Sequence, residues 1–171
     1  MPIKLVVPEE LSLDENNNLE KLDKIYFKNN IDSNQWVSDF KTNNKIIKTF
    51  KYSLIIFKDE ELIIGYSLVI PSNKKLMIDF LTNKINETQL IKSNLKNVNL
   101  LNFQTLYLCA AIILPEYRNQ GYAKKGVLKS INYYKKSNKN IVLFSWSYSK
   151  SGNQLLQAIS NTVKLPLKNK F

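Results

Sequence analysis

Residues 113–124 read Ile-Leu-Pro-Glu-Tyr-Arg-Asn-Gln-Gly-Tyr-Ala-Lys and lie between a long apolar run and an amphipathic segment. The apolar run, residues 103–114, is typical of a β-strand that is buried on both faces. Residues 121–136 alternate apolar and basic side chains at helical spacing. Pro115 ends the strand, and Gly121 allows the backbone to come close to a ligand. The stretch therefore predicts a strand, a turn and a helix in succession.

The rarest residues of the chain gather at this turn. Arg118 is the one arginine among 25 basic residues, and Gly121 and Gly126 are two of only four glycines. The first N–H groups of a helix have no partner within the helix and carry the positive end of its dipole, so they bind anions. Arg118 and the pair Lys124 and Lys125 add positive charge that suits a diphosphate. The alternative is an ordinary strand-to-helix turn whose glycine serves only its geometry.

The other elements follow from apolar periodicity. Strands are predicted at 3–7, 52–58, 62–70 and 141–146, the second and third forming a hairpin that Pro71 ends. Leu19, Leu22, Ile25 and Tyr26 predict a helix that follows a polar turn and runs to about residue 28. A second short helix is expected with Ser33 as its N-cap and Trp36, Val37 and Phe40 on one face.

The second half of the chain continues the alternation of strands and helices. One or two helices are expected within 72–102, and a last helix within 154–163. This order favours an α/β fold with a mixed sheet. Because no linker or repeat divides the sequence, we expect one domain over 1–171, with 72–102 as a helical insertion before the strand at 103–114.

The composition excludes several function classes. The chain has no histidine and one cysteine, Cys109, so it offers neither a His/Cys zinc site nor a His-based catalytic triad, and no metal is expected. A single cysteine cannot form an intramolecular disulfide, which favours the reducing cytoplasm. The longest apolar run, about 62–70, is far shorter than the ~20 residues that span a bilayer. We therefore expect a soluble cytoplasmic protein without a membrane partner.

The net charge of +11 suits an anionic partner such as nucleic acid, an anionic membrane surface or a phosphorylated cofactor. The lysines are spread along the whole chain, as codon bias in an AT-rich genome would also produce. Protein–nucleic acid interfaces usually rely on arginine for bidentate and stacking contacts, and this chain has one arginine. Nucleic acid is therefore disfavoured as a partner, and a phosphate-bearing ligand is favoured.

The segment Arg118-Asn119-Gln120-Gly121-Tyr122-Ala123 resembles motif A of the GCN5-related N-acetyltransferases (GNATs), Gln/Arg-x-x-Gly-x-Gly/Ala at the start of a helix. Leu114-Pro115-Glu116-Tyr117 precedes it, as in many members. The strand before it, the helix after it and the later strand–helix pair follow the family's order over roughly 50–160. The resemblance implies a mixed, mostly antiparallel sheet with a splayed central strand pair, flanked by helices.

The resemblance also implies a set of cofactor contacts for acetyl-CoA. The strand before the turn would pair with the pantetheine arm through the backbone of Ala111 and Ile113, and the family's β-bulge would aim an N–H near Ala111 at the thioester carbonyl. Asn153, at the start of the last helix, matches an Asn that often contacts the cofactor. The pyrophosphate would lie on the motif and the backbone N–H groups around it, from Arg118, Asn119, Gln120, Gly121, Tyr122, Ala123 and Lys124.

The sequence departs from the family at the catalytic positions. Seven residues after Asn153, where the family commonly has a Tyr as general acid to the CoA thiolate, stands Ser160. The thiolate could instead be protonated by Tyr148 or by water, or the protein could lack an efficient acid. Tyr107 lies where some histone-modifying members carry a catalytic Glu, but a Tyr with a pKa near ~10 is a poor base at neutral pH, and it could simply be a buried strand aromatic. The sequence also lacks the family's Gly-Phe after the last helix, and its tail is too short for a full final hairpin.

Three further side chains could take part in chemistry. Cys109 is interpreted as a core thiol, with an acyl-accepting nucleophile as the alternative. Asp79 and Glu87 are interpreted as solvated helix carboxylates, although either could face an amine.

We therefore expect an N-acyltransferase that moves an acetyl group from acetyl-CoA to an amine by direct attack, without a covalent intermediate. The acceptor would be a small molecule or a protein amine. The alternative is a catalytically weak or inactive acyl-CoA-binding, regulatory protein of the same fold. A truncated C-terminal sheet edge also suggests a homodimer.

Overall fold

The computed structural model describes residues 2–27 and 34–170. Within them the chain alternates strands and helices around one sheet. The strands are β1 Lys4–Val6, β2 Leu54–Asp59, β3 Leu62–Ser72, β4 Thr105–Ile113, β5 Val142–Ser145 and β6 Leu167–Asn169. The helices are α1 Leu13–Phe27, α2 Phe40–Thr49, α3 Lys74–Leu81, α4 Glu87–Asn97, α5 Tyr122–Lys135 and α6 Lys150–Val163, with a single 3-10 turn at Pro115–Tyr117.

The sheet has six strands in chain order, β1-β2-β3-β4-β5-β6. The pairs β1–β2, β2–β3 and β3–β4 are antiparallel, whereas β4–β5 and β5–β6 are parallel. The sheet is therefore mixed and mostly antiparallel, as expected. β4 lies at its centre, where the antiparallel and parallel halves meet.

Side-chain caps define where most helices begin. Asp39 Oδ1 accepts from the Thr42 N–H at 2.9 Å at the start of α2, Asn73 caps α3, and Ser149 caps α6. Asn86 and Gln89 form a reciprocal capping box at the start of α4. Such caps satisfy N–H groups that a helix leaves without partners in its first turn.

The main core includes buried residues on both faces of the sheet, since neighbouring residues of one strand, such as Leu143 and Phe144 of β5, both belong to it. A smaller cluster forms around Ile55 and Phe57. α5 packs on this cluster at Gly126, where a Cβ atom added to the glycine would lie 2.5 Å from the ring of Phe57. The missing side chain of Gly126 therefore permits close packing of α5 on the sheet.

Several sequence-based boundaries were wrong. The polar stretch before Leu19 is not a turn, because Ser12 and Glu15 form a capping box that starts α1 at Leu13. The second helix begins at Phe40, so Trp36 and Val37 precede it; Ser33 and residue 28 lie outside the described residues.

Two corrections concern strands. Pro71 does not end β3 but pairs with Leu106 of β4. The last pair between β2 and β3 is Leu54 with Leu68, so Pro71 lies beyond β2 on that side. The missing N–H of the proline therefore leaves no hydrogen bond of the β2–β3 ladder unmade. The tail, in which no strand was predicted, adds β6 to the sheet, where it pairs with β5 and forms the edge. No helix among the described residues has the length and apolar character needed to cross a membrane.

Candidate functional site

The turn between β4 and α5 is held in an open form by two residues with left-handed backbone. Asn119 has φ 61° and Gly121 has φ 79°. A Cβ atom on Gly121 would meet nothing within 4 Å, so the space beside this glycine is open. Left-handed backbone is accessible to Gly at little cost and to Asn more readily than to most residues.

α5 differs from the other helices at its N-terminus. Its N-cap is Gly121, which makes no side-chain cap hydrogen bond, whereas Ser, Asp or Asn side chains cap α1 to α4 and α6. Among the described residues, none accepts a hydrogen bond from the backbone N–H groups of residues 119–124; the first ladder bond is Lys125 N–H to the Gly121 carbonyl at 2.9 Å. The helix therefore presents its positive end and a row of unused donors to whatever lies at the turn.

Positive side chains surround these donors. Arg118 Nε donates to the carbonyl of Ile113 at 3.1 Å, and its guanidinium lies 5.0 Å from the ring centre of Tyr26 in α1. Lys125 Nζ lies 5.4 Å from the ring centre of Tyr122, at the first turn of α5. An arginine held in this way by the end of β4 can present its remaining N–H groups to a phosphate.

β4 and β5 diverge beside this turn. They pair from Thr105 and Val142 to Leu108 and Ser145, and β4 then continues alone to Ile113 on that side. The splayed central strand pair is thus present. The β-bulge lies at Cys109, since Val69 pairs with Leu108 and Leu68 pairs with Ala110. The bulge is therefore two residues earlier than Ala111, the position expected from the sequence.

An open cleft of about 170 Å³ begins where the two strands separate. Cys109 and Ala110 of β4 form part of its floor, and Trp146 and Tyr148, just after β5, form one wall. The remaining lining comes from α1, the segment before α2, β3 and α4: Glu20, Asp23, Lys24, Phe27, Gln35, Trp36, Val37, Ser38, Tyr66, Leu68 and Glu87.

Glu87, the first residue of α4, reaches into this cleft. Its side chain is not solvated as expected, since only 7% of the residue is exposed. Oε1 accepts from the Tyr107 hydroxyl at 2.5 Å and lies 3.7 Å from Cys109 Sγ, and Oε2 accepts from the Trp36 N–H at 2.8 Å. Burial raises the pKa of the Glu87 carboxyl, against the opposing effects of these hydrogen bonds and of the charge on Lys170.

The neighbours of Glu87 are poor bases and nucleophiles themselves. Burial, followed by the nearby Glu87 charge, raises the pKa of both the Tyr107 hydroxyl and the Cys109 thiol well above their ordinary values. Both therefore stay protonated at neutral pH, and a protonated thiol is a weak nucleophile. Tyr107 holds the carboxylate in place by donating to it.

Asp23 of α1 is a second carboxylate in the same cleft. It accepts from the hydroxyl of Tyr66 on β3 and from Ser38 Oγ at 3.0 Å. Burial raises the pKa of the Asp23 carboxyl, an effect that its two hydrogen bonds oppose. Asp79, by contrast, does not line the cleft. It forms an ion pair with Lys75, four residues before it on α3, at 2.6 Å.

The other predicted site residues lie in two places. Tyr148 lines the cleft with 42% of its surface exposed and packs on Trp146, ring centres 4.7 Å apart. Ser160 lies in the last turn of α6, where its hydroxyl donates to the Leu165 carbonyl at 2.7 Å, and it does not line the cleft. Asn153 is exposed in the first turn of α6, which begins at Lys150.

Sequence reasoning missed that Asp23 and Glu87 line the same cleft. Asp23 lies among polar residues of α1 and has no distinguishing neighbour in the sequence, and Glu87 was interpreted as solvated. One signal was available for Glu87: Asn86-Glu-Thr-Gln89 has the spacing of a capping box, which places the helix start, and hence Glu87, at a fixed point.

Several solved structures share this arrangement of strands and helices. The loading GNATL domain of CurA from Lyngbya majuscula matches with a TM-score of 0.55 and 15% identity, over 89% of this chain and 69% of that chain. Diaminobutyrate acetyltransferase EctA from Paenibacillus lautus, in complex with L-2,4-diaminobutyric acid and coenzyme A, matches with a TM-score of 0.55 and 15% identity, over 94% and 76% of the two chains.

An aminoglycoside acetyltransferase from an uncultured soil metagenomic sample, in complex with sisomicin, matches with a TM-score of 0.53 and 15% identity, over 94% of this chain and 86% of that chain. No protein-family model and no curated protein sequence matches the chain. The likeness defines the fold: this chain has the fold of the GCN5-related N-acetyltransferases, as the motif at Arg118–Ala123 predicted.

Proposed function

We propose that the protein is an N-acyltransferase that moves an acetyl group from acetyl-CoA to an amine. The observation that carries this proposal is the N-terminus of α5, which has no side-chain cap and lies where β4 and β5 separate. Similar folds have been solved with coenzyme A and with amine acceptors, including diaminobutyric acid and sisomicin.

In this proposal the pyrophosphate of acetyl-CoA binds the N–H groups of residues 119–124, with Arg118 and Lys124 adding charge. The pantetheine arm enters between β4 and β5 and uses the free edge of β4 around Ala111 and Ile113, which has no β5 partner. Asn153 contributes a polar group from the first turn of α6. A backbone N–H at the bulge would then stabilise the oxyanion that forms on the thioester carbonyl.

The chemistry is direct attack in the cleft. The amine nitrogen forms a bond to the thioester carbon, the C–S bond breaks, and the proton leaves nitrogen for the Glu87 carboxylate. A carboxylate whose pKa is raised by burial is a better base near neutral pH than a solvated one. Tyr107 acts as a positioning residue for Glu87.

The CoA thiolate needs a proton as it leaves, and we propose that Tyr148 supplies it. Its ring lies in the wall of the cleft immediately after β5, beside the separation of the strands. Ser160 is a weaker candidate, because its hydroxyl already donates to Leu165 in the turn that ends α6.

Two further properties belong to the proposal. A cytoplasmic location is supported by the free thiol of Cys109 and by the need for acetyl-CoA. A homodimer is supported by β6, a three-residue edge strand whose outer side could pair with a second copy. Light scattering of the purified chain measures the latter directly.

The test of the proposed activity is release of free CoA thiol from acetyl-CoA with a panel of amines, including diamines, aminoglycosides, amino acids and peptides. Wild type is expected to release thiol with at least one amine, and Glu87→Gln to reduce kcat by about a hundredfold or more, within the usual range for removing a general base. Acetyl-CoA binding without turnover on any amine would instead favour a non-catalytic acyl-CoA-binding protein.

A further inference from the structure

The cleft has a charge opposite to that of the chain. The whole protein carries 25 basic against 14 acidic residues, yet the side chains that line the cleft within residues 2–27 and 34–170 include three carboxylates and one lysine. The carboxylates are Glu20, Asp23 and Glu87, and the lysine is Lys24. A local excess of negative charge in a strongly basic protein indicates a site for a cation.

The two deeper carboxylates, Asp23 and Glu87, take no part in the ion pairs that join described residues. Lys170 opposes the rise in the pKa of Glu87, but less than the hydrogen bonds from Tyr107 and Trp36 do. Its Nζ lies over the rings of Phe80 and Trp146, 4.1 and 4.5 Å from their centres. Buried carboxylates without a paired charge are costly to ionise, and an ionic ligand relieves that cost.

The two carboxylates are anchored at separate points of the cleft floor. Asp23 is held from β3 by Tyr66, and Glu87 is held from β4 by Tyr107 and Cys109. Leu68 lies two residues along β3 from Tyr66 and is paired with Ala110, which adjoins Cys109. Tyr107 pairs with Ile70. Tyr66 therefore lies one strand across from the Glu87 anchors, about 5 Å, and is offset along the strand by about two residues from Cys109 and four from Tyr107, roughly 7 to 13 Å.

Between these anchors the cleft is apolar. Leu68 and Ala110 form its floor, and Phe27, Trp36 and Trp146 contribute to its walls. A chain of methylene groups with a cation at each end matches this order of acidic, apolar and acidic surface.

We propose that the acceptor carries two cationic groups, one bound by Asp23 and the other facing Glu87, where it gives a proton to the carboxylate and then attacks as the neutral amine. The proton that this nitrogen loses after attack balances the one that the departing thiolate takes up. The inference rests on the proposed acyl transfer and names the substrate class of the same cleft. Attack occurs at the Glu87 end because Cys109 and Ala110 adjoin the point where β4 and β5 separate, which is where the thioester would arrive. Only that nitrogen is acetylated, so the product keeps one cation, the one at Asp23.

The test is titration calorimetry of putrescine and of n-butylamine into wild-type protein saturated with coenzyme A, which cannot transfer an acetyl group. These probes share a four-carbon chain and differ in the second amine. Putrescine is expected to bind at least about tenfold more tightly, as one additional charge-assisted hydrogen bond would give.

Asp23→Asn is expected to remove this advantage and leave n-butylamine affinity and coenzyme A affinity unchanged. Asp14→Asn, an exposed carboxylate on the same helix, is the matched control and should bind both amines as wild type does. Circular dichroism establishes that each variant is folded. If Asp23→Asn does not fold, the comparison of the two amines on wild type still decides the proposal.

The outcomes separate the acceptor proposal from the cofactor proposal. Equal affinity for putrescine and n-butylamine, or coenzyme A binding with no binding of either amine, overturns the dicationic acceptor while the proposed cofactor site stands. Putrescine binding without coenzyme A binding supports the cleft but contradicts the cofactor site. If the protein binds neither coenzyme A nor putrescine, both proposals are overturned.

Discussion

The two tyrosines beside the cleft differ in what their hydroxyl groups can do. Tyr107 is buried, and its hydroxyl is engaged with Glu87. Tyr148 lies in the cleft wall with 42% of its surface exposed, where a departing thiolate could reach it. Tyr107, a candidate base from its place in the sequence, is therefore better explained as support for a carboxylate that comes from another element.

We predict that Tyr148→Phe lowers kcat by about tenfold to a hundredfold, because the thiolate loses its proton donor. The KM for acetyl-CoA should change little, since the phenyl ring keeps the wall of the cleft. Ser160→Ala is the comparison, and steady-state kinetics should leave its kcat within about twofold of wild type. A large loss in Ser160→Ala with an unchanged Tyr148→Phe would reverse the assignment of the acid.

The Asp23 carboxyl predicts a specific pH dependence of stability. Its pKa is raised above the ordinary value of 3.8 by burial, so the folded state binds the proton more tightly than the unfolded state does. The stability that this provides is present below the unfolded pKa and is lost as pH rises through the folded pKa. In Asp23→Asn this loss should disappear. Urea unfolding from pH 4 to pH 8 measures it, and parallel stability curves for the two proteins would contradict it.

At this scale the sequence predicted the turn much better than the cleft. Gly121 and Arg118 stand out by their rarity and their spacing, and both can be identified without knowing any other part of the chain. Glu87 and Asp23 acquire their character from burial and from partners 20 to 51 residues away, such as Tyr107, Trp36 and Tyr66. Nothing local to either carboxylate indicates those partners.

At the scale of elements, helix starts were predictable only where the cap was recognised. Ser12-Leu-Asp-Glu15 and Asn86-Glu-Thr-Gln89 both have capping-box spacing and start α1 and α4. The first was missed because the Asn-rich stretch after it resembles a turn. The predicted start of α2 was wrong for a related reason. Trp36, Val37 and Phe40 repeat at helical spacing, although the helix begins only after its cap at Asp39.

The tail illustrates a different limit. β6 has three residues, which are too few for an alternation of apolar and polar side chains to be identified from sequence. It forms because β5 offers a free parallel edge from Leu143 to Ser145. Whether such a short strand forms depends on the tertiary structure, which supplies the neighbouring strand that it pairs with.

The packing of α5 on the sheet predicts the effect of filling Gly126. Gly126→Ala should destabilise the fold by about 1–3 kcal/mol, because the added methyl group overlaps the Phe57 ring and the Ser67 hydroxyl at 2.5 and 2.7 Å. Asn132→Ala, an exposed position on the same helix, is the control and should stay within about 0.5 kcal/mol of wild type. Chemical denaturation gives both values. Equal stability of the two variants would mean that α5 can move away from the sheet at no cost.

For the whole molecule, charge is distributed in two parts that serve opposite ligands. The general surplus of +11 suits the anionic cofactor, and the acidic cleft suits a cationic acceptor. Composition revealed the first and concealed the second, because a sum over the chain cannot show a local reversal of sign.

Because both sites bind through charge, ligand affinity at each should fall as the salt concentration rises. The effect is most easily measured for acetyl-CoA. Raising the ionic strength from about 0.1 M to about 1 M shortens the Debye length from ~10 Å to ~3 Å, so acetyl-CoA affinity should fall several-fold or more. Pantetheine, which lacks the pyrophosphate, is the matched ligand and should change much less. Calorimetry at the two ionic strengths measures this effect, and an acetyl-CoA affinity that does not depend on salt would argue against binding through the basic turn.

The central claim is that acetyl-CoA binds at the uncapped N-terminus of α5. Its most direct test is the acetyl-CoA affinity of wild type, Gly121→Asp and Gly121→Ala by calorimetry at low ionic strength. Both substitutions bear the cost of left-handed backbone, ~1–2 kcal/mol, so their difference isolates the carboxylate that is placed beside the phosphate site. We expect wild type to bind acetyl-CoA measurably, Gly121→Ala to bind it equally or more weakly, and a folded Gly121→Asp not to bind it. Unchanged affinity in Gly121→Asp would contradict it.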